Sequence, residues 1–462
     1  MARGKRRPTH PSIARRGGRG GIATTSSRPG RKVSVMSYRF LLASWGSLGN
    51  LGPLLTAGRM LRESGHHVRV MADAPMRAEV EAAGFEVVTW RHAPVEEAVD
   101  ATDFSALKDW VRKVLFTPAS AYAADVTDEI RRMPTDAVLS LDILFGVAVG
   151  AEASGVPLAF LSPRVSIRTL PGTPPAVGGL GQAKMPAERA DVETVNAAWS
   201  MAMNSSLPML NDVRIELGLP ALDDIMQLFD RADRLLVATS QAFDFQAGSL
   251  PNNCCYVGPL LDVPNWSQPW QAPRPTQSDH HRALIACGTR VQGQRDMFQR
   301  AIDAAATAGI GAVVTTEPSL DVAELRAPRN VHVLRGASHD LLMNEVSLVI
   351  SQGGHGTVNR SLINGLPQLI LPKAWDQLAN AARVEARGAG LQLPPTASEA
   401  EIAEAIKRLI AEPQFKIAAR RVGDAIKSEI EASDLVEQME LIAAAGCEAR
   451  QQPLEQQRQE VI

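Results

Sequence analysis

The chain has little of what marks several common protein classes. It carries four cysteines in 462 residues, Cys254, Cys255, Cys287 and Cys447, with no CxxC pair and no Cys/His ligand spacing. That excludes a disulfide scaffold and a structural zinc site, and free thiols fit a reducing cytosol. No run of about eighteen apolar residues occurs, so no segment reads as a membrane span. Neither sign of charge dominates, at 48 basic against 50 acidic residues. A cytoplasmic location is the expectation.

The near-zero balance hides an asymmetry. Residues 1–35 hold ten Lys/Arg and no acidic residue, which leaves the remainder at 38 basic against 50 acidic. A body of that sign is not expected to bind nucleic acid. The leader lacks the apolar stretch of a secretory signal, and its Arg/Gly/Pro/Ser composition cannot bury enough surface to fold. It is expected to be disordered, an extension ahead of a start at Met36, with a transit peptide or a nucleic-acid-binding tail as the alternatives. Its removal is expected to leave folding and activity unchanged.

What is present is the makeup of a globular protein, 45% hydrophobic and 21% charged, in a chain too long for one ordinary core. "YRFLLASW" is a short apolar run, "PLLTAGRMLRESG" a helical stretch with Pro53 near its start and Gly65 at its stop, and "HHVRVMAD" a second strand. The βαβ pattern repeats through "FEVVTW", "DAVLSLDILFG", "VPLAFLS" and "LLVATS". A second alternation opens at "RALIACG" and runs through "GAVVTT", "VHVLRG", "SLVIS" and "QLILP", followed by helices alone, one of them starting at the serine of "SEAEIAEAIKRLIAE". The fold class is therefore α/β, with two Rossmann-like domains whose parallel sheets face a shared interdomain cleft. The boundaries expected are an N-terminal domain over 36–245, a linker over 246–282, a C-terminal domain over 283–430, and a tail over 431–462 whose helix packs back on the N-terminal domain.

Two glycine-rich turns carry the chemistry. In "SLVISQGGHGTVNRSLINGLPQLILP" a buried strand runs into Gly353, Gly354, His355 and Gly356, with a helix expected from about Thr357. Unobstructed backbone N–H groups at a helix N-terminus make an anion site there. In "SWGSLGNLGP" the residue best placed for chemistry is Asn50, whose amide takes no proton at any useful pH.

"GGHGT", "NGLP" and "LPKAWDQLANAARVEARGAG" together resemble the donor-binding region of family 1 glycosyltransferases of the GT-B fold, bacterial natural-product enzymes in particular. The stretch from "VMSYRFLLASWGSLGNLGPLL" to "GHHVRVMAD" resembles the opening of that family, and "YVGPLL" its interdomain segment, so the resemblance covers residues 36–430. It implies an inverting transfer of a hexose or deoxyhexose from a UDP- or dTDP-sugar to a hydroxyl of an apolar small molecule, with no metal and no other cofactor. It also implies donor-side roles. Gly353, Gly354, Gly356 and Thr357, with His355 among them, would cradle the diphosphate; Asp376 and Gln377 would bind sugar hydroxyls; Gly288 and Thr289 would form a second phosphate-side loop. "GASHDLL" resembles the segment on the nucleotide base, where His339 either stacks or caps a helix.

Two departures stand out. Gln352 occupies a position where the family commonly has a histidine that reaches the diphosphate. By the same resemblance, Asn50 aligns with the position where most members place the histidine, or in some an aspartate, that deprotonates the acceptor. Asp142, in "SLDILFG", matches the acid that orients that histidine; it is expected to serve as a fallback base, directly or through a water, or else to be a strand-end residue bonding backbone. Asn50 either caps its helix turn or holds the acceptor. Without a base, transfer is expected to favour phenolic, enolic or carboxylic acceptors. Trp110, Phe116, Tyr122, Trp199, Met201, Met203 and Met209, in two looser stretches, are candidate acceptor contacts, with core packing as the alternative.

Two other readings stay open. One is a degenerate GT-B paralogue that binds nucleotide sugar or acceptor without efficient turnover. The other is a dinucleotide site at "GSLGNLG" with Asp73 on a ribose, although the spacing is GxxGxxG instead of GxGxxG.

Overall fold

A computed structural model describes residues 36–94, 108–183, 185–262, 281–286, 294–316, 322–373 and 376–459. The first sheet has seven parallel strands in the order β3-β2-β1-β4-β5-β6-β7. They are β1 (Arg39–Ala43), β2 (His67–Ala72), β3 (Glu86–Thr89), β4 (Ala137–Leu141), β5 (Leu158–Ser162), β6 (Arg234–Val237) and β7 (Cys254–Tyr256). The second sheet has six, β8 (Arg282–Ala286), β9 (Gly311–Thr315), β10 (Val331–Leu334), β11 (Leu348–Ser351), β12 (Gln368–Ile370) and β13 (Gly390–Gln392), in the order β10-β9-β8-β11-β12-β13. The central strands β4, β5, β8, β9 and β11 are buried along their whole length. That is why they read as unbroken apolar runs instead of alternating ones.

Both sheets are doubly wound, and in each the strand order reverses beside its first strand. The reversal falls between β1 and β4 in the first sheet and between β8 and β11 in the second. Ligands of open parallel sheets bind in the crevice beyond the strand carboxyl ends at such a point. The residues that follow β1, β4 and β11 are therefore the ones the topology singles out.

Each sheet is covered on both faces. In the first, one layer of core joins Leu41, Phe116, Tyr122, Phe145, Phe160, Trp199 and Phe229, and the other joins Phe40, Leu54, Leu61, Leu139 and Leu236. Leu435, Met439, Ile442 and Ala443 of the C-terminal helix Leu435–Gln459 belong to that second layer, so the last helix lies on the first sheet. In the second half, helices Arg295–Thr307 and Glu399–Ala411 cover one face. The serine start of the latter is a capping box, in which Ser398 Oγ accepts from the Glu401 N–H and Glu401 accepts from the Ser398 N–H. Helix Pro413–Glu431 crosses His355–Ile363 so closely that a Cβ at Gly423 would fall 1.9 Å from the Leu362 carbonyl oxygen.

Three sequence boundaries need correction. β7 takes residues 254–256 from the expected linker into the first sheet, and residues 263–280 lie outside the described part. The strand through "DAVLSLDILFG" stops at Leu141, and Asp142 already lies in the turn beyond it. The helix after the glycine-rich turn begins at His355, with Gly354 as its N-cap.

Candidate active site

The candidate donor side is built on the turn between β11 and helix His355–Ile363. Gly353 sits at φ 92°, and a Cβ there would meet Ile370 Cγ2 at 2.7 Å, so both its conformation and its surroundings require glycine. Its N–H donates to Ser351 Oγ at 3.1 Å and its carbonyl accepts from Asn380 Nδ2 at 2.9 Å. The turn is thus held from both sides while the first N–H groups of the helix, which have no intrahelical acceptor, point out of its end. Gly354, Gly356 and Thr357 are half-buried there.

His355 belongs elsewhere. Its ring is buried between the two halves, with Nδ1 at 3.3 Å from Asn380 Oδ1, Nε2 at 3.1 Å from Asn359 Nδ2, and Nε2 at 3.3 Å from the Ala238 carbonyl oxygen. Because Asn380 Nδ2 is fixed on Gly353 O and Asp376 Oδ2, its Oδ1 is the atom that faces His355 Nδ1. Burial lowers the His355 pKa and keeps the ring neutral. The ring therefore faces the protein interior, and any part of His355 in a phosphate cradle falls to its backbone N–H at the start of the helix.

Asp376 starts helix Asp376–Ala386 and is half-buried, with Oδ2 accepting from Asn380 at 3.2 Å. Gln377 Oε1 accepts from the Lys373 N–H at 3.0 Å and is buried. Gln352 is buried with its Oε1 lacking a hydrogen-bond partner among the described residues. His339 opens a short helix and pairs through Nε2 with Thr315 Oγ1 at 2.9 Å; burial pushes its pKa down to about 4, so it is a neutral ring at neutral pH. Gly288 and Thr289 lie outside the described residues.

The candidate acceptor side lies at the reversal point of the first sheet. Asn50, in the first turn of helix Leu48–Glu63, donates through Nδ2 to the Trp45 carbonyl at 3.1 Å. Its Oδ1 accepts from Arg164 Nη1 at 3.4 Å. Arg164 follows β5, and its Nη2 lies 3.8 Å from Asp142 Oδ1. Asp142, just past β4, is fully buried, and its Oδ2 accepts from Ser162 Oγ at 2.6 Å. Burial raises its pKa, opposed by Arg164 and then by the Ser162 bond. Residues from three neighbouring strand ends thus form one chain, Asn50–Arg164–Asp142. Asp142 has no open surface, so direct contact with an acceptor, one form of the fallback-base expectation, is corrected. A proton path through Arg164 is closed too, since a guanidinium has no acceptor atom.

The aromatic acceptor candidates are also corrected. Trp110, Phe116, Tyr122 and Trp199 are buried in the first core layer. Tyr122 meets Trp90 edge-on at 4.9 Å and Trp199 Nε1 donates to the Ile167 carbonyl. Their apolar spacing on helical turns packs them inward beneath the sheet ends. Met203 is buried with them, Met209 is partly buried against the same core, and Met201 is 63% exposed. Asp73 accepts from the Gly46 N–H at 2.7 Å, which makes it a brace of the first turn instead of a ribose ligand.

Sequence reading missed three side chains that organise the site. Arg164 is one, and its signal was a cation directly after an apolar strand beside the reversal point. Asn380 is the second, four residues after Asp376 and so on the same helix face. Asp262 is the third: its carboxylate accepts from Arg59 of the first-half helix, and its carbonyl from Arg360 of the donor-side helix. No His/Cys/Asp/Glu group able to hold a metal occurs among the described residues. No helix there is long and apolar enough to cross a membrane.

The two doubly wound parallel sheets are those of the GT-B fold. Comparison with known proteins agrees. Residues 300–442 match the family described as "Erythromycin biosynthesis protein CIII-like, C-terminal domain". The chain is 26% identical over 438 residues to 4'-demethylrebeccamycin synthase of Lentzea aerocolonigenes, covering 87% of this chain and 99% of the relative. It is 24% identical to 3-alpha-mycarosylerythronolide B desosaminyl transferase of Saccharopolyspora erythraea, over 89% and 100% of the two chains. The calicheamicin glycosyltransferase CalG4 shares the fold with a TM-score of 0.69 at 21% identity, covering 88% and 99%. The chain is a glycosyltransferase with the GT-B fold, similar over most of its length to these natural-product enzymes.

Proposed function

We propose that the protein moves a hexose or deoxyhexose from a UDP- or dTDP-sugar to a hydroxyl of an apolar small molecule, with inversion at the anomeric carbon. The observation that carries this reading is the Gly353 turn, held by Ser351 and Asn380 so that the N-terminus of helix His355–Ile363 opens to the cleft. A diphosphate leaving group gathers negative charge as the sugar departs. Backbone N–H groups and the positive end of a helix meet that charge without rearrangement, and charge-assisted bonds of this kind contribute about 1.5–3 kcal/mol each. Thr357 adds a hydroxyl to the same cradle, and Asp376, half-open at the start of the next helix, is placed to accept from sugar hydroxyls.

Inversion is the outcome of one in-line displacement with the acceptor on the face opposite the diphosphate. The leaving-group charge is carried by these amides, and metal is not required. The natural-product names of the relatives support an apolar acceptor.

A panel of macrolides, polyketide phenols and flavonoids, incubated with UDP- and dTDP-sugars and read by mass, tests the proposal. The expected product is a β-glycoside from an α-linked donor, formed equally in excess EDTA. Retained configuration, activity lost to EDTA and restored by magnesium, or preference for charged hydrophilic acceptors would contradict it.

A further inference from the structure

At the reversal point of the first sheet the reacting position is occupied by an amide and a guanidinium. Asn50 cannot accept a proton as a base, Asp142 is fully buried, and the Arg164 guanidinium has no acceptor atom. No described side chain in this cluster is able to take a proton from an acceptor at the cleft surface. What the cluster has instead is a guanidinium held, among the described residues, by long contacts alone. Arg164 has five N–H donors, and its partners are Asn50 at 3.4 Å and Asp142 at 3.8 Å, both long contacts, with its side chain 18% exposed.

Among the described residues, the other charged and titratable groups beside this cluster are engaged elsewhere, Asp262 with Arg59 among them. Asp73 accepts from Gly46, Arg168 pairs with Asp230, and Tyr122 is buried with its pKa raised by burial and by the charges of Asp73 and Asp125. Ser162 donates to Asp142. Arg164 is therefore the charge that an acceptor bound over Asn50 would meet.

We infer that Arg164 is a catalytic residue that binds the acceptor oxygen as its anion. The inference rests on the proposed sugar transfer and assigns its acceptor class as acidic hydroxyls: phenols, enols or carboxylic acids. The acceptor loses its proton to water on binding. Its oxygen lone pair then forms the new bond to the anomeric carbon, while the electron pair of the breaking C–O bond leaves with the diphosphate. Asn50 orients the guanidinium through Oδ1, and Asp142 holds it from beneath.

The test uses the full chain and 4-nitrophenol, whose phenol and phenolate absorb differently. In excess wild-type protein with UDP present, its titration midpoint is expected to fall by about one pH unit, the low end of what an adjacent opposite charge produces. Arg164→Gln should return the midpoint to that of free 4-nitrophenol, and Arg164→Lys should keep part of the shift, with melting curves checking that both variants are folded. No shift in the wild type, or the same shift in folded Arg164→Gln, would overturn the inference. If the Arg164-dependent shift is present but no nucleotide sugar yields a glycoside with any acceptor, the anion site stands and the sugar-transfer reading falls.

Discussion

The donor turn and the acceptor cluster sit at equivalent places, each just past the strand reversal of its own sheet, yet they are built in opposite ways. The donor turn is local: Gly353 to Thr357 is one continuous stretch, braced by Ser351 two residues before it and by Asn380. The acceptor cluster takes Asn50, Asp142 and Arg164 from three strand ends that are far apart in sequence. A backbone-built site tolerates few residue changes because its shape is its chemistry. A side-chain-built site changes chemistry by exchanging one residue, as an arginine over Asp142 illustrates.

The joint between the two regions should be the most sensitive place. Arg383 of the donor half and Asp244 of the chain leaving the first sheet form a buried pair at 2.7 Å, and Arg383 also lies over the Phe245 ring. Asp244→Ala leaves that guanidinium buried and unpaired, and thermal unfolding should register a loss of about 3–5 kcal/mol.

On the donor side, His339 gives the region a pH dependence. Its folded pKa of about 4 lies below the ordinary 6.5, so the unfolded chain binds the proton first as pH falls. The stability present above pH 6.5 is therefore lost on acidification toward pH 4, by up to about 3 kcal/mol. His339→Gln should flatten that part of the melting-temperature profile relative to wild type. A smaller loss, about 1–3 kcal/mol, is expected for Gly353→Val from its left-handed backbone and the contact with Ile370. UDP affinity measured by calorimetry should fall with it, about tenfold or more, while the acceptor cluster stays intact.

The smallest effect sharpens the comparison most. Asn50→His restores an imidazole at the reacting position, but Arg164 still covers Asp142, so nothing orients the ring. Turnover on aliphatic alcohols should rise by less than about threefold, against the 10²–10⁴ of a positioned base. Adding Arg164→Ser opens Asp142 to the new imidazole, and alcohol turnover should then climb further. An equal rise in the single and double variants would show that Arg164 does not block the pair.

The same contrast explains how much the sequence revealed. Unbroken apolar runs alternating with helices disclosed both sheets, and the contiguous "GGHGT" disclosed the donor turn, because those signals lie within a few residues of each other. His355 misled because its neighbours along the chain are cleft residues, whereas its ring contacts are set by Ala238 and Asn380. The buried aromatics misled because an apolar residue on a helical turn looks the same over a cleft as under a sheet. Arg164 was hidden since its meaning depends on β5 lying beside β4, a fact of strand order that no local stretch carries.

The central claim is that the acceptor enters as its own anion and not through a protein base. The pH dependence of kcat/KM should be measured for two phenols of different acidity with one nucleotide sugar. The account predicts two separate inflections, each moving with the acidity of its phenol; a single inflection shared by both would mean that a group on the protein takes the proton, and would contradict it.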